Sequence, residues 1–349
     1  MLTRPTFPED NAYSEAKAEL GKMLFFDPRL SGSGQIACAT CHEPELGWSD
    51  GKTVSHGHAR SPLRRNAPSL INAAHRKALF WDGRAASLEA QALEPIAASD
   101  EMNADPVKMV AALAEQAEYR KRFASAFGDA NPEGAGPNAV TLDRVAKAIA
   151  TFERTVVSRP SKFDQFLLGI GDALSDEAVR GLHLFRTQAR CVNCHMGPTL
   201  TDEKFHDVGL SYYGRSLEDL GRYHVTNDPA DVGKFKTPSL RNLPRTAPYM
   251  HNGLFDLPGV LNLYNAGMPT IRRKVGQEND PLFPTKSPLL KPLRLNARDL
   301  VDLKSFLESL EELRLRIRPP ALPGIDPPAS SRPRRPGAAT RPASEAEEP

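Results

Sequence analysis

Cys38-Ala-Thr-Cys41-His42 and Cys191-Val-Asn-Cys194-His195 are two copies of one pattern, CxxCH, set in the two halves of a 349-residue chain. The spacing puts two thiols within one short turn, where they form thioethers with the vinyl groups of a haem, and it brings the adjacent histidine under the iron. A four-cysteine zinc site is the rival reading. Zinc knuckles keep their cysteine pairs closer in sequence, and both pairs here are followed by histidine. The motifs therefore predict two covalent c-type haems on Cys38, Cys41, Cys191 and Cys194, with His42 and His195 as proximal ligands. The chain has four cysteines in all, so none remains for a structural disulfide.

Working outward, each motif sits inside a longer recurring order. Gly21-Lys-Met-Leu24-Phe25 precedes the first and Gly181-Leu-His-Leu184-Phe185 the second. Ala67-Pro68-Ser69-Leu70-Ile71-Asn72 follows the first and Thr237-Pro238-Ser239-Leu240-Arg241-Asn242 the second. Phe80-Trp81-Asp82-Gly83 then corresponds to Met250-His251-Asn252-Gly253, and Pro68 to Gly83 spans the same interval as Pro238 to Gly253. Blocks repeated in matching order predict a duplicated domain. Apolar residues at helical spacing predict helices over 14–25, 105–127, 142–157, 176–185 and 297–313, and strand-like alternation is scarce. The expected fold is mainly α: two cytochrome c-like haem domains, 1–160 and 161–318, with long loops. The proline-rich stretch 319–349 is expected to be a disordered tail.

Composition excludes several classes. The 45 basic and 43 acidic residues leave a formal net charge of +2, which gives no case for nucleic acid. No apolar run is long enough for a membrane span. Met1-Leu-Thr-Arg-Pro5 lacks the apolar core of an export signal. Haem of the c type is attached on the oxidising side of a membrane, so the expected location is periplasmic, with the export signal removed and Met1 added. What lies on the other face of each iron decides function: a sixth protein ligand makes an electron carrier, an open face binds peroxide or oxygen.

Further motifs resemble those of the bacterial di-haem cytochrome c peroxidase and MauG family. They are Arg65-Asn-Ala-Pro68, Phe80-Trp-Asp-Gly-Arg-Ala85 with Leu88-Glu-Ala-Gln91 and Glu101-Met102, and Thr246-Ala-Pro-Tyr-Met-His-Asn-Gly253 leading to Leu263-Tyr-Asn-Ala-Gly267. The resemblance runs from about residue 15 to about residue 313. It implies that Glu101 sits over the open face of the first haem and moves a proton during peroxide cleavage, work that suits a carboxylate in an apolar pocket. It also implies that Gln91 positions peroxide or water. Trp81 would lie between the haems as an electron relay, and Asn66, Thr246 and Pro248 would hold a calcium ion. Read without the family, Glu101 is a capping acid, Trp81 is core, and the calcium residues are a loop and a turn.

Two positions sort the branches. MauG-like members carry a tyrosine on the second haem and ordinary peroxidases a methionine; here Tyr264 and Met268 compete, and the Tyr-Asn-x-Gly context favours Tyr264. A phenolate there would lower the haem potential. His58, with His56 as an outside candidate, stands where resting peroxidases have a histidine that blocks the first haem, so it is either a distal ligand or a loop histidine. Wording around Tyr212-Tyr-Gly-Arg215, Glu218–Tyr223 and Phe235–Leu240 is similar to the MauG-like (MbnH-like) branch. The resemblance thus implies an enzyme that uses hydrogen peroxide to form a high-valent di-haem state and oxidises an aromatic residue, a tryptophan, of a partner protein. The alternatives are a cytochrome c peroxidase, fed by a small cytochrome or cupredoxin, and a non-catalytic electron carrier.

Overall fold

The computed structural model describes residues 3–312 and 317–325. Among them the helices are α1 (Glu15–Phe25), α2 (Cys38–Cys41), α3 (Leu88–Ala97), α4 (Pro106–Glu115), α5 (Ala117–Phe127), α6 (Leu142–Arg154), α7 (Lys162–Leu167), α8 (Asp176–Arg186), α9 (Tyr223–Thr226), α10 (Leu257–Asn265) and α11 (Ala297–Glu308). The only sheet among these residues is the antiparallel pair β1 (Phe205–Asp207) and β2 (Lys234–Lys236). No described helix is long and apolar enough to cross a membrane.

Capping follows the sequence closely. Ser14, Thr141 and Ser175 accept the N–H of the third residue of α1, α6 and α8, satisfying a donor that the helix start leaves free. The single helix expected over 105–127 is interrupted at Gln116, which is extended. Arg120 explains why the break is tolerated: its Nη1 donates to the carbonyls of Ala114 (2.7 Å) and Glu115 (3.1 Å), at the end of α4.

Among the described residues two large cores form in sequence order, and a smaller cluster gathers Ala73, Leu79, Ala85, Leu88 and Ala150. The first gathers apolar residues between Leu20 and Val156, the second those between Phe163 and Leu310. In the first, α1 crosses α6 at a glycine, and in the second, α8 crosses α11 at another. A Cβ on Gly21 would meet Ala148 O at 1.9 Å and Phe152 Cβ at 2.9 Å; one on Gly181 would meet Asp302 O at 1.9 Å and Phe306 Cβ at 2.8 Å. Only glycine allows that approach.

The halves meet through reciprocal bonds. Asn66 N–H donates to His251 O, and Lys236 N–H to Trp81 O, both at 2.8 Å. Asn66 and Lys236 each stand two residues before the Pro-Ser-Leu block, while Trp81 and His251 hold the same place in the later block. An ion pair reinforces the contact: Arg65 binds Asp219 through two nitrogens (2.7 and 2.8 Å) and Asp82 through a third (2.6 Å).

The chain end departs from expectation. Residues 319–325, expected in a disordered tail, and 317–318, assigned to the second domain, fold back onto the first half. Ile317 and Leu322 pack against the first core, and Pro323 O accepts from Arg29 Nη1 at 2.6 Å. Leu322 supplies the apolar surface that the proline count concealed. The rest of the expected tail, 326–349, lies outside the described residues.

Candidate haem centres

Each CxxCH motif forms a short turn whose histidine N–H donates back to the first cysteine's carbonyl, at 3.0 Å for His42 and 2.8 Å for His195. Each imidazole is then aimed by a backbone oxygen: His42 Nδ1 lies 3.1 Å from Trp48 O, and His195 Nδ1 lies 3.1 Å from Leu200 O. That partner makes Nδ1 the donor and leaves Nε2 for iron. Burial lowers the pKa of both rings, against the pull of the carbonyls, which favours the neutral form that binds metal.

The first motif opens on a small cavity walled by Cys38, Cys41, His42, Gly57, Gln91, Pro95, Glu101, Ile149 and Glu153. Helix α3 carries Gln91, and the turn that follows it carries Glu101. Gln91 Oε1 is buried with no hydrogen-bond partner. Burial raises the Glu101 pKa, with Arg84 pulling it down. The structure thus brings Gln91 and Glu101 to the same cavity as His42. His58 is not in its wall. Its N–H donates to Glu101 O at 2.7 Å, while its Nδ1 is buried without a partner. His56 is exposed.

The second motif opens on a cavity of about 250 Å³ whose wall includes Cys191, Cys194, His195, Leu261, Tyr264 and Leu307. Tyr264 projects from α10, and burial pushes its phenol pKa well up, with Cys191 and Cys194 adding to the rise. Met268 is buried but does not line this cavity; it lies past the end of α10, with a left-handed backbone at φ 62°.

Trp81 lines the second cavity where the halves meet. Its Nε1 donates to Asn66 O at 2.9 Å, and its ring lies edge-on to His251, 6.4 Å between centroids. His251 in turn stacks on Phe235 at 3.6 Å. Asn66, Thr246 and Pro248 also reach this cavity wall together. The Asn66 amide nitrogen donates to Lys52 O at 2.8 Å, which leaves the side-chain oxygen as the end suited to a cation.

Sequence reasoning did not single out several residues here. Lys236 lines the second cavity, pairs with Glu203 at 2.6 Å, and is lowered to about 8 by burial. Arg76 joins it in the wall. Cys194, Asp202 and His206 cluster within 4.8 Å, with His206 Nε2 at 2.8 Å from Asp202. Cys194 and His206 of this group also line the second cavity. Glu153 had no signal, because a glutamate in an amphipathic helix reads as solvent-facing.

The donor sets fit c-type haem in both halves: two thiols in a tight turn, a neutral imidazole with one nitrogen free, and apolar walls. The family model described as di-haem cytochrome c peroxidase matches residues 15–172. The methylamine utilization protein MauG of Methylorubrum extorquens is 42% identical over 319 residues, covering 90% of this chain and 84% of that protein. Cytochrome c551 peroxidase of Nitrosomonas europaea is 42% identical over 237 residues, 68% of each chain. The solved structure of a MauG-like protein associated with microbial copper homeostasis superposes with a TM-score of 0.77 at 34% identity, covering 88% of this chain and 93% of the other. Motifs, cavities and relatives agree: this chain belongs to the di-haem cytochrome c peroxidase and MauG family, a two-haem oxidoreductase.

Proposed function

We propose that this enzyme is MauG-like: peroxide reacts at the cavity of His42, and the oxidising equivalents are passed to an aromatic residue, a tryptophan, of a docked partner protein. The observation that carries this reading is Tyr264, which lines the second cavity with His195 and both cysteines while Met268 does not. Bound in these cavities, the haems supply the redox chemistry that no side chain can. Tyr264 would help hold the second haem, and its phenolate would favour the oxidised states there. Gln91 positions peroxide through its free amide. Glu101 would take the proton from one peroxide oxygen and deliver it to the other, so that the O–O bond breaks and the second oxygen leaves as water. Trp81, wedged between the halves, relays electrons from the second site to the first. His58, outside the first cavity wall, leaves that site open, and this also supports the reading.

The same proposal includes a calcium ion held by Asn66, Thr246 and Pro248, and a periplasmic location. It also takes the halves as copies of one ancestral domain. The two glycine crossings and the reciprocal Asn66–His251 and Lys236–Trp81 bonds support that origin.

Adding peroxide to the purified diferric protein tests the function. The expected result is a near-infrared band arising from both haems together, lost in Tyr264→Phe. A protein that ignores peroxide until one haem is reduced is instead a peroxidase served by a small redox protein. Six-coordinate, unreactive irons would mark an electron carrier.

A further inference from the structure

Glu153 is an ionisable residue in the wall of the first cavity to which the chemistry above gives no task. It lies on α6, is 3% exposed, and its Oε2 is buried with no hydrogen-bond partner. The helix crossings show what the fold requires at this place. The neighbours of Gly21 and Gly181 match in order and distance, Ala148 with Asp302 and Phe152 with Phe306. Glu153 then corresponds to Leu307, the next residue on, and Leu307 lines the second cavity as Glu153 lines the first. Leucine therefore suffices for packing. A carboxyl with an unsatisfied oxygen is costly to bury, and packing does not explain it.

The surrounding charges are committed elsewhere. Arg154, the next residue on α6, pairs with Glu89 of α3 at 2.7 Å, and Asn11 bonds the same carboxylate at 2.7 Å. Arg76 donates to the carbonyls of Ser69 and Ile71. Glu101 and Gln91 share the cavity but do not bond Glu153. Burial outweighs the attraction of Arg154 and Arg76 and pushes Glu153 up to about 8.

We propose that Glu153 is a proton-carrying residue of the first haem cavity, binding one proton when that site gains an electron and releasing it when the electron leaves. The electron comes from a one-electron donor, a redox protein or a mediator, and is accepted at the iron, ferric to ferrous. The proton comes from solvent, ends as the Glu153 carboxylic O–H, and leaves the charge of the cavity unchanged. In a low-dielectric space, an added charge without a partner opposes reduction. The inference rests on the first cavity holding the haem of His42, and does not depend on a partner protein being oxidised.

Spectroelectrochemical titration of the di-haem holoprotein across a pH range centred on about 8 tests it. Reduction of the first haem should become tenfold less favourable for each unit rise in pH within the window, as one proton per electron requires. Glu153→Gln, which keeps the shape, and Glu153→Leu, which copies the second half, should both lose that dependence. Glu101→Gln should retain it. A pH dependence that survives in Glu153→Gln, or a wild-type potential that is flat with pH, overturns the proposal. If Glu153→Leu does not fold, Glu153→Gln alone decides. Because no peroxide is added, failure here is separate from failure of the MauG-like reading.

Discussion

At the scale of single residues, the first cavity holds two carboxyls whose burial sets their pH behaviour. In the role proposed for it, Glu101 must be ionised to accept a proton from peroxide, and burial keeps it protonated to higher pH than an exposed glutamate. The rate of peroxide reaction should therefore rise with pH through that raised pKa. Glu101→Gln should slow it by roughly 10²–10⁴-fold and flatten the profile, read by stopped-flow mixing. Glu153 carries a stability cost of opposite sense. Between the ordinary 4.5 and about 8, the folded state binds a proton that the unfolded state has lost, so stability falls as pH rises across that window. Glu153→Leu should raise the melting temperature, and the gain should be larger at pH 8 than at pH 5. The two-haem character of the chain was legible from the sequence because thioether chemistry fixes the CxxCH spacing. Glu153 was not, since its burial depends on a helix crossing between segments far apart in the chain. Tyr264 and Met268 could not be separated by spacing either. The difference comes from where α10 stops: Tyr264 is inside the helix and faces the cavity, whereas Met268 follows it.

At the scale of elements, the two helix crossings organise the protein. Caps and apolar periodicity announced α1, α6, α8 and α11, because those signals are local. The break at Gln116 was hidden, because it depends on Arg120 reaching back to two carbonyls. At the crossings, a Cβ in place of the glycine hydrogen would sit 1.9 Å from a carbonyl oxygen in either half. Gly21→Ala and Gly181→Ala should each cost about 1–3 kcal/mol or more, since the neighbour is backbone and cannot swing aside. Thermal unfolding of each variant measures the loss. A fall at one site only would mean that the crossings are not equally tight.

At the scale of the whole molecule, the halves are joined around Trp81. Asp219 is held near 2: burial opposes ionisation, but the Arg65 guanidinium outweighs it. This pair contributes stability above the ordinary aspartate pKa of 3.8 and loses it as pH falls through about 2. Arg65→Ala leaves the buried Asp219 carboxylate without its guanidinium, while Asp82 keeps Arg84 at 3.2 Å, and should cost about 3–5 kcal/mol. It should also uncouple the haems, so that peroxide oxidises the first site without a matching change at the second, seen by absorbance. The sequence supplied Arg65 and Asp219 in separate motifs, but nothing in it paired them, because the contact exists only once both halves have folded. The return of Ile317 and Leu322 to the first core gives the chain the route of a lace: first half, second half, first half again. A protease nick near residues 157–161 should therefore not release two separate pieces. A fragment ending at residue 160 would lack the side chain that closes its own core, and the two fragments would have to be mixed to recover a complete protein.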